Sequence, residues 1–355
     1  MNPISVCIIG KNEEETIFDC LSSIPKEHFE IIFVDTGSID NTKKIAQQFT
    51  DKIFDFPWTN DFSSARNFSI EKATNDWILI LDCDEKITSI DFANLYSQME
   101  TNPQSIGLLL INNLSIGNGT EVSSYFNRLE RLFNKSYFHY EGSIHEQVRP
   151  LSGRTSFFTF EIPIEVLHSG YIGSPQKIAK KANRNIALLN LAINDHPNDP
   201  YLYYQLGQSY YWKGDYANAL PSFSKALTFD LNPELAYVKL LIVSYGYTLY
   251  HTNHLYDAIN VCEEVYSSFS SYANFVFLCG FLYMNASLWE KAILNLIQST
   301  TLVDSISDVS TPAYYNLGCI YEILGDAKLA SAFFSKVPDF RDSLSRIQDL
   351  KPQIN

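Results

Sequence analysis

The chain has 355 residues, 46% hydrophobic and 19% charged, with a formal net charge of −14. That length allows two domains of ordinary size, and the apolar fraction is that of a globular protein with a buried core. An acidic balance without clustered Lys and Arg excludes a nucleic-acid groove, and the longest apolar stretch, Phe275 to Met284, is too short to span a bilayer.

The first half alternates apolar runs with helical patterns. Ser5-Val6-Cys7-Ile8-Ile9 is strand-like and ends in Gly10-Lys11-Asn12-Glu13. A helical face of Ile17, Cys20, Leu21 and Ile24 follows and stops at Pro25. Glu30 to Val34 is the next strand, running into Asp35-Thr36-Gly37-Ser38, after which Asp40-Asn41-Thr42 can cap a helix carrying Ile45, Ala46 and Phe49. A short strand at 52–55 leads to a helix around 63–73. Strand–helix alternation of this kind predicts a parallel sheet. Every polar cluster falls at a strand's carboxyl end, where open α/β sheets bind ligands.

Trp77-Ile78-Leu79-Ile80-Leu81 reads as a strand buried on both faces, ending abruptly in Asp82, Asp84 and Glu85. Three acids so close together repel unless a cation sits among them. Hard oxygen ligands suit Mg²⁺ or Mn²⁺, which commonly share their shell with a substrate phosphate. An acidic solvated turn is the alternative. The charge is also uneven: residues 1–175 carry 13 basic and 24 acidic side chains, against 13 and 16 in residues 176–355.

The second half is helical and repetitive. Gly207, Gly246, Gly280 and Gly318 are each followed at +3 by Tyr210, Leu249, Tyr283 and Tyr321, and at +12 by Ala219, Ala258, Ala292 and Ala330. Phe223 and Phe334 fill a further slot in the first and last units. The period is that of helix hairpins of the tetratricopeptide type, stacked into a solenoid. A helix from about 174 to 195 joins the halves. The N-terminus shows no basic region before an apolar core, so no secretory signal is expected. Cys7, Cys20, Cys83, Cys262, Cys279 and Cys319 form no C-x-x-C pair and read as reduced residues of a cytoplasmic protein.

Four segments in order carry a family resemblance: Cys7 to Glu14, Val34 to Thr42, Ala65-Arg66-Asn67, and Leu81 to Glu85. The first half resembles the family 2 glycosyltransferases, which have the GT-A nucleotide-diphospho-sugar transferase fold. The expected architecture is thus an α/β GT-A domain with a mostly parallel sheet at 1–173, then an all-α tetratricopeptide solenoid at 174–355. Phe138 to Gln147 and Leu167-His168-Ser169-Gly170-Tyr171 resemble segments of the branch with helical repeats, although Ser169 stands where Tyr is commoner.

By resemblance, Asp35 would bond the uracil ring, with Asn12, Glu13 and the backbone at Ile9 shaping the same pocket. A carboxylate suits the imide N–H, and a turn-forming Asp is the alternative role. Arg66 would bind the donor's anionic part, with an ion pair as its alternative. Lys11 is a weaker candidate. Asp82 would meet the ribose or metal, and Asp84, with His168, would hold the Mg²⁺ or Mn²⁺. Glu146 would be the base that deprotonates the acceptor, with His145 beside it and Glu141 in reserve; neighbouring carboxylates and the flexible Gly142 suit that role. If residues 145 and 146 lie on a strand, they point oppositely.

The whole organisation resembles the sublancin-type S-glycosyltransferases. The resemblance implies a UDP-sugar donor, glucose or N-acetylglucosamine as the sugar, and a bacteriocin-like peptide or protein acceptor, modified on Cys or Ser and held by the repeats. An acceptor that is a saccharide or lipid-linked glycan, and a non-catalytic repeat scaffold, are the alternatives. The apolar run Phe275, Val276, Phe277, Leu278, Phe281 and Leu282 suggests a homodimer through the repeats, or an internal helix.

Overall fold

The computed structural model describes residues 4–116, 122–154, 156–171, 175–302 and 309–354. The chain divides into two compact units, Met1–Lys181 and Ala182–Asn355. In chain order the first contains β1 (Ile4–Gly10), α1 (Ile17–Ser22), β2 (Phe29–Asp35), α2 (Thr42–Ala46), β3 (Ile53–Asp55), α3 (Phe62–Lys72), β4 (Trp77–Asp82) and β5 (Glu85–Ile90). It continues with α4 (Phe92–Thr101), β6 (Ile106–Ile116), β7 (Val122–Asn134), β8 (Phe138–Glu141), β9 (Gln147–Pro150) and β10 (Thr159–Tyr171).

Eight strands form one sheet in the order β3-β2-β1-β4-β7-β6-β10-β5, while β8 and β9 make a separate hairpin. The half containing β3, β2, β1 and β4 is parallel. The central strands β1, β2 and β4 are largely apolar because both faces are covered. Alternate residues go to opposite cores: Ile8, Phe33, Leu79 and Leu81 to one, Cys7, Ile32, Val34, Ile78 and Ile80 to the other. The other half is mixed, with β7 antiparallel to β4 and β6, and β10 parallel to β6. The sheet is therefore parallel from β3 to β4 and mixed beyond them. After Asp82 the chain leaves β4 through a two-residue turn, and β5 pairs antiparallel with β10 at the far edge.

The linking helix is α5 (Pro175–Asp195); residue 174, where it was expected to start, lies outside the described residues. Four helix hairpins follow: α6 (Pro200–Trp212) with α7 (Tyr216–Ala226), α8 (Ala236–His251) with α9 (Leu255–Phe269), α10 (Ala273–Asn285) with α11 (Trp289–Thr301), and α12 (Ser310–Ile323) with α13 (Ala327–Phe334). The last helix is α14 (Ser343–Ile354).

The repeat signature has a steric cause. A Cβ on Gly207 would lie 2.4 Å from the Phe223 ring, and one on Gly318 would lie 2.6 Å from Phe334. Ala219, Ala258, Ala292 and Ala330 are all fully buried where paired helices approach. In the second repeat Cys262 stands where Phe223 stands in the first, and Gly246 is instead met by Leu278 of the following hairpin.

The apolar run behind the homodimer expectation is internal. Phe275, Val276, Leu278 and Leu282 are at most 1% exposed, and Phe277 and Phe281 pack against the same core. That run gives no reason for self-association. Among the described residues no helix is long and apolar enough to cross a membrane, and all six cysteines are free thiols.

Candidate active site

The carboxyl ends of β1, β2 and β4 lie side by side, with Gly10 opposite Asp35 and Ile9 opposite Asp82. A Cβ on Gly10 would sit 2.7 Å from the Cys83 sulfur, so only glycine lets the turn after β4 close over β1. Beneath it, the Cys83 thiol reaches the Ile9 carbonyl and the Cys20 thiol the Asp82 carbonyl, both at 3.4 Å. Burial pushes both thiols well above their ordinary range, so they are packing groups rather than nucleophiles.

The loops after β1 and β2 are stitched together. Asn12 takes a left-handed φ of 58° and accepts a bond from the Ile39 amide at 2.9 Å, while its own amide donates to Ser38 Oγ. The Glu13 amide donates to Thr42 Oγ1 at 2.7 Å. Asp35 is buried, and its carboxylate accepts from the amides of Gly37 and Ser38. Asp35 is therefore a turn former, and carboxylate lone pairs remain for a further donor. Lys11 is exposed.

Asp61 caps α3 by accepting from the Ser64 amide at 3.0 Å, and the helix places Ala65-Arg66-Asn67 against the sheet. Ala65 is fully buried. Asn67 exchanges two 2.9 Å hydrogen bonds with the backbone of Tyr140 and so pins β8 to α3. The Phe62 amide donates to the Ser143 carbonyl at 2.8 Å, docking the β8–β9 turn on the helix start. Residues 142–146 form that turn, so Glu146 and His145 are not neighbours on a strand. The bend uses Gly142 at φ 97° and His145 at φ 52°.

This docking brings Glu146 to Arg66. Arg66 Nε donates to Glu146 Oε1 at 2.6 Å, Nη2 donates to Asp82 Oδ1 at 2.8 Å, and the guanidinium lies 5.5 Å from the Tyr140 ring centre. Sequence reasoning missed a second guanidinium. Arg131 Nη2 lies 2.7 Å from Asp82 Oδ2 and 3.2 Å from Glu85 Oε1. No sequence signal marks it, since Arg131 stands beside Glu130 in the mixed segment Leu129-Glu130-Arg131-Leu132-Phe133. The cations that relieve Asp82 and Glu85 thus come from the protein itself, and the argument that the acid cluster calls for a metal ion narrows to Asp84.

Burial would raise the Asp82 carboxyl, but the charges of Arg131 and Arg66 outweigh it and hold the group well below the usual carboxylate range. Glu85, only 2% exposed, is pushed up to about 7 by burial and by Asp82, against the pull of Arg131. Two guanidiniums facing Asp82, Glu85 and Glu146 leave one carboxyl in excess, and the upward shift falls on the most buried one. Glu141 faces His139 Nε2 at 2.9 Å instead. The charged neighbour of Glu146 is therefore Arg66, not the second carboxylate expected from the sequence.

Asp84 and His168 meet because β5 pairs with β10, with His168 opposite Glu85 and the Ser169 amide donating to the Asp84 carbonyl at 3.1 Å. His168 Nε2 lies 3.3 Å from Asp84 Oδ2, and Nδ1 lies 2.8 Å from Asn113 Oδ1. Asn113 Nδ2 donates to the Ile111 carbonyl at 3.4 Å, which turns Oδ1 towards the ring and makes Nδ1 a donor; the bond to Asp84 takes a second proton, on Nε2. Burial lowers the His168 pKa, but its bond to Asp84 more than compensates, so it stands above the ordinary value. Among the described residues no three His, Cys, Asp or Glu side chains converge as a metal cage. One carboxylate and one oriented imidazole nonetheless fit an ion whose shell is completed by substrate phosphate and water.

Residues 5–162 match the family described as Glycosyl transferase family 2, and residues 200–233 and 311–337 match tetratricopeptide repeats. The chain carries a family 2 glycosyltransferase domain followed by tetratricopeptide repeats. A TPR repeat-containing protein of Synechococcus elongatus is 31% identical over 61% of this chain and 54% of its own length. The SPbeta prophage-derived glycosyltransferase SunS of Bacillus subtilis is 33% identical over 56% of this chain and 47% of its own. The chain thus spans about half the length of these curated relatives. The solved structure of YrrB, a tetratricopeptide protein, aligns at a TM-score of 0.40 and 19% identity, over 47% of this chain and 83% of that one.

Proposed function

We propose that this chain is an inverting glycosyltransferase that moves a hexose, glucose or N-acetylglucosamine, from a UDP-sugar to a Cys or Ser side chain of a peptide or protein acceptor. The observation that carries the reading is Glu146 joined through Arg66 to the acid-tipped end of β4, within the family 2 domain. Similarity to a protein named as the glycosyltransferase SunS supports glycosyl transfer, and the tetratricopeptide repeats favour a polypeptide acceptor.

In this reading Asp35 accepts the uracil N–H, and Asn12, Glu13 and the Ile9 backbone shape the nucleotide pocket. Arg66 and Asp82 form the wall between nucleotide and sugar. Glu146 has one oxygen on Arg66 and uses the other to take the proton of the acceptor thiol or hydroxyl. The acceptor sulfur or oxygen then attacks the anomeric carbon from the face opposite the nucleotide. The bond from that carbon to the diphosphate oxygen breaks, UDP leaves with the electron pair, and the configuration inverts. Asp84 and His168 would hold a Mg²⁺ or Mn²⁺ ion, which would supply positive charge for the departing diphosphate.

Purified protein incubated with UDP-, GDP- and dTDP-sugars plus Mg²⁺ or Mn²⁺ tests this by release of free nucleotide. The expected result is metal-dependent release from a UDP-hexose. Absence of both turnover and metal-dependent UDP binding would make a non-catalytic scaffold the better reading.

A further inference from the structure

Arg131 owes its position to an irregularity in the sheet. On β6 and β7, Gly107 pairs with Leu132 and the next residue, Leu108, with Glu130, so Arg131 is the extra residue of a β-bulge. Bulges re-aim a side chain, and they recur beside active sites. Gly107 permits this one: a Cβ there would lie 2.5 Å from Ile162 Cγ2 and 2.9 Å from Leu132 Cβ. The displaced arginine is 8% exposed and turns to the end of β4, where it completes an alternating chain, Glu146–Arg66–Asp82–Arg131–Glu85, at 2.6, 2.8, 2.7 and 3.2 Å.

We propose that Arg131 is a positioning residue: by holding one oxygen of Asp82 it leaves the other to Arg66, and so fixes the Arg66 guanidinium in the orientation that presents Nε to Glu146. The physical reason is charge alternation. Without Arg131, Asp82 and Glu85 have Arg66 as their remaining cation. Both oxygens of Asp82 are then open to Arg66, and a bidentate grip through Nη1 and Nη2 turns Nε away from Glu146. The bulge thereby sets the geometry of the acceptor-side carboxylate without touching it. The catalytic consequence rests on the assignment of Glu146 as the base; the structural coupling does not.

The test uses Arg131→Met, the double variant Arg131→Met/Glu85→Gln, and Arg131→Lys. The single Met variant leaves Asp82, Glu85 and Glu146 against one guanidinium and should lose stability. Glu85→Gln removes the excess acid and offers an amide N–H in place of the lost guanidinium, so the double variant should recover its melting temperature. If the role is positioning, the double variant still loses the Arg66–Glu146 bond. The side-chain Nε–H resonance of Arg66, assigned by its disappearance in Arg66→Lys, should exchange with water at least tenfold faster than in wild type. Turnover should fall at least tenfold, with the Kd for UDP changed less than threefold. If the double variant does not fold, Arg131→Lys gives the same readouts, because a single-point ammonium cannot reproduce the guanidinium geometry. A folded variant lacking Arg131 that keeps both slow Arg66 exchange and wild-type turnover would overturn the proposal. The exchange is read on donor-free protein. A wild type that hydrolyses no UDP-sugar would thus remove the functional reading while the Arg66 result still decides the positioning role.

Discussion

Replacing Glu146 by Gln separates the base from the scaffold. Its side chain is 11% exposed, and Oε1 accepts from Arg66 Nε at 2.6 Å. A glutamine oxygen can accept the same bond, so Arg66 is not orphaned, and its charge stays compensated by Asp82 at 2.8 Å. What is lost is the difference between an ionic and a neutral hydrogen bond, about 1 kcal/mol. The variant should therefore fold, and UDP should bind with a Kd within about threefold of wild type, or roughly 0.7 kcal/mol. Transfer should fall far more, because losing a general base costs about 10²- to 10⁴-fold, or about 3–5 kcal/mol on the barrier. Nucleotide release under saturating donor measures the rate, and calorimetric titration with UDP and Mn²⁺ measures the binding. Glu146→Ala is the control: it leaves Arg66 Nε unsatisfied and should cost stability as well. Wild-type turnover in the Gln variant would refute the base assignment. A parallel loss of UDP affinity would instead place Glu146 on the donor side.

Asp84→Asn should weaken metal-dependent UDP binding by about tenfold or more while sparing metal-independent binding, because one of the two oriented ligands loses its charge; calorimetry with and without chelator decides. Glu30 predicts a pH effect at the opposite end of the strands. Despite burial, bonds from Lys52, Ser5 and Thr74 bring its carboxyl down to about 2. A depressed carboxyl stabilises the fold above the unfolded value near 4.5, and that contribution is lost as pH falls from there towards 2. Because the Lys52 side chain is 45% exposed, the gain is about 1–2 kcal/mol rather than the full shift. Exchange protection of β1 and β2 amides in wild type and Glu30→Gln should differ at pH 7 and approach each other as pH falls towards 2. Gly207→Ala should destabilise the first repeat by about 1–2 kcal/mol, since the clash with Phe223 outweighs the helix-propensity gain of about 1 kcal/mol. A more stable variant, by exchange in α6 and α7, would contradict this.

The sequence by itself determined the elements from β1 to β4 and the helix pairs of the repeats, because those depend on local patterns. Runs such as Ile78 to Leu81 read as strands buried on both faces, and the recurring Gly and Ala spacing reads as paired helices in close approach. It also placed Asp35, Asp82 and Asp84 along one sheet edge, since each closes a parallel strand or follows one. What each acid does was decided by partners far away in the chain. Glu146 reaches Arg66 across 80 residues through a turn docked on a helix start, and His168 reaches Asp84 through the β10–β5 pairing. Arg131 reaches Asp82 across 49 residues only because the register slips by one at Gly107. Strand order, register and bulges are set by packing between distant segments, and a charge takes its role from whichever charge that packing puts beside it. The acid cluster that looked from the sequence like a cage for a cation is, for Asp82 and Glu85, already closed by the protein's own arginines.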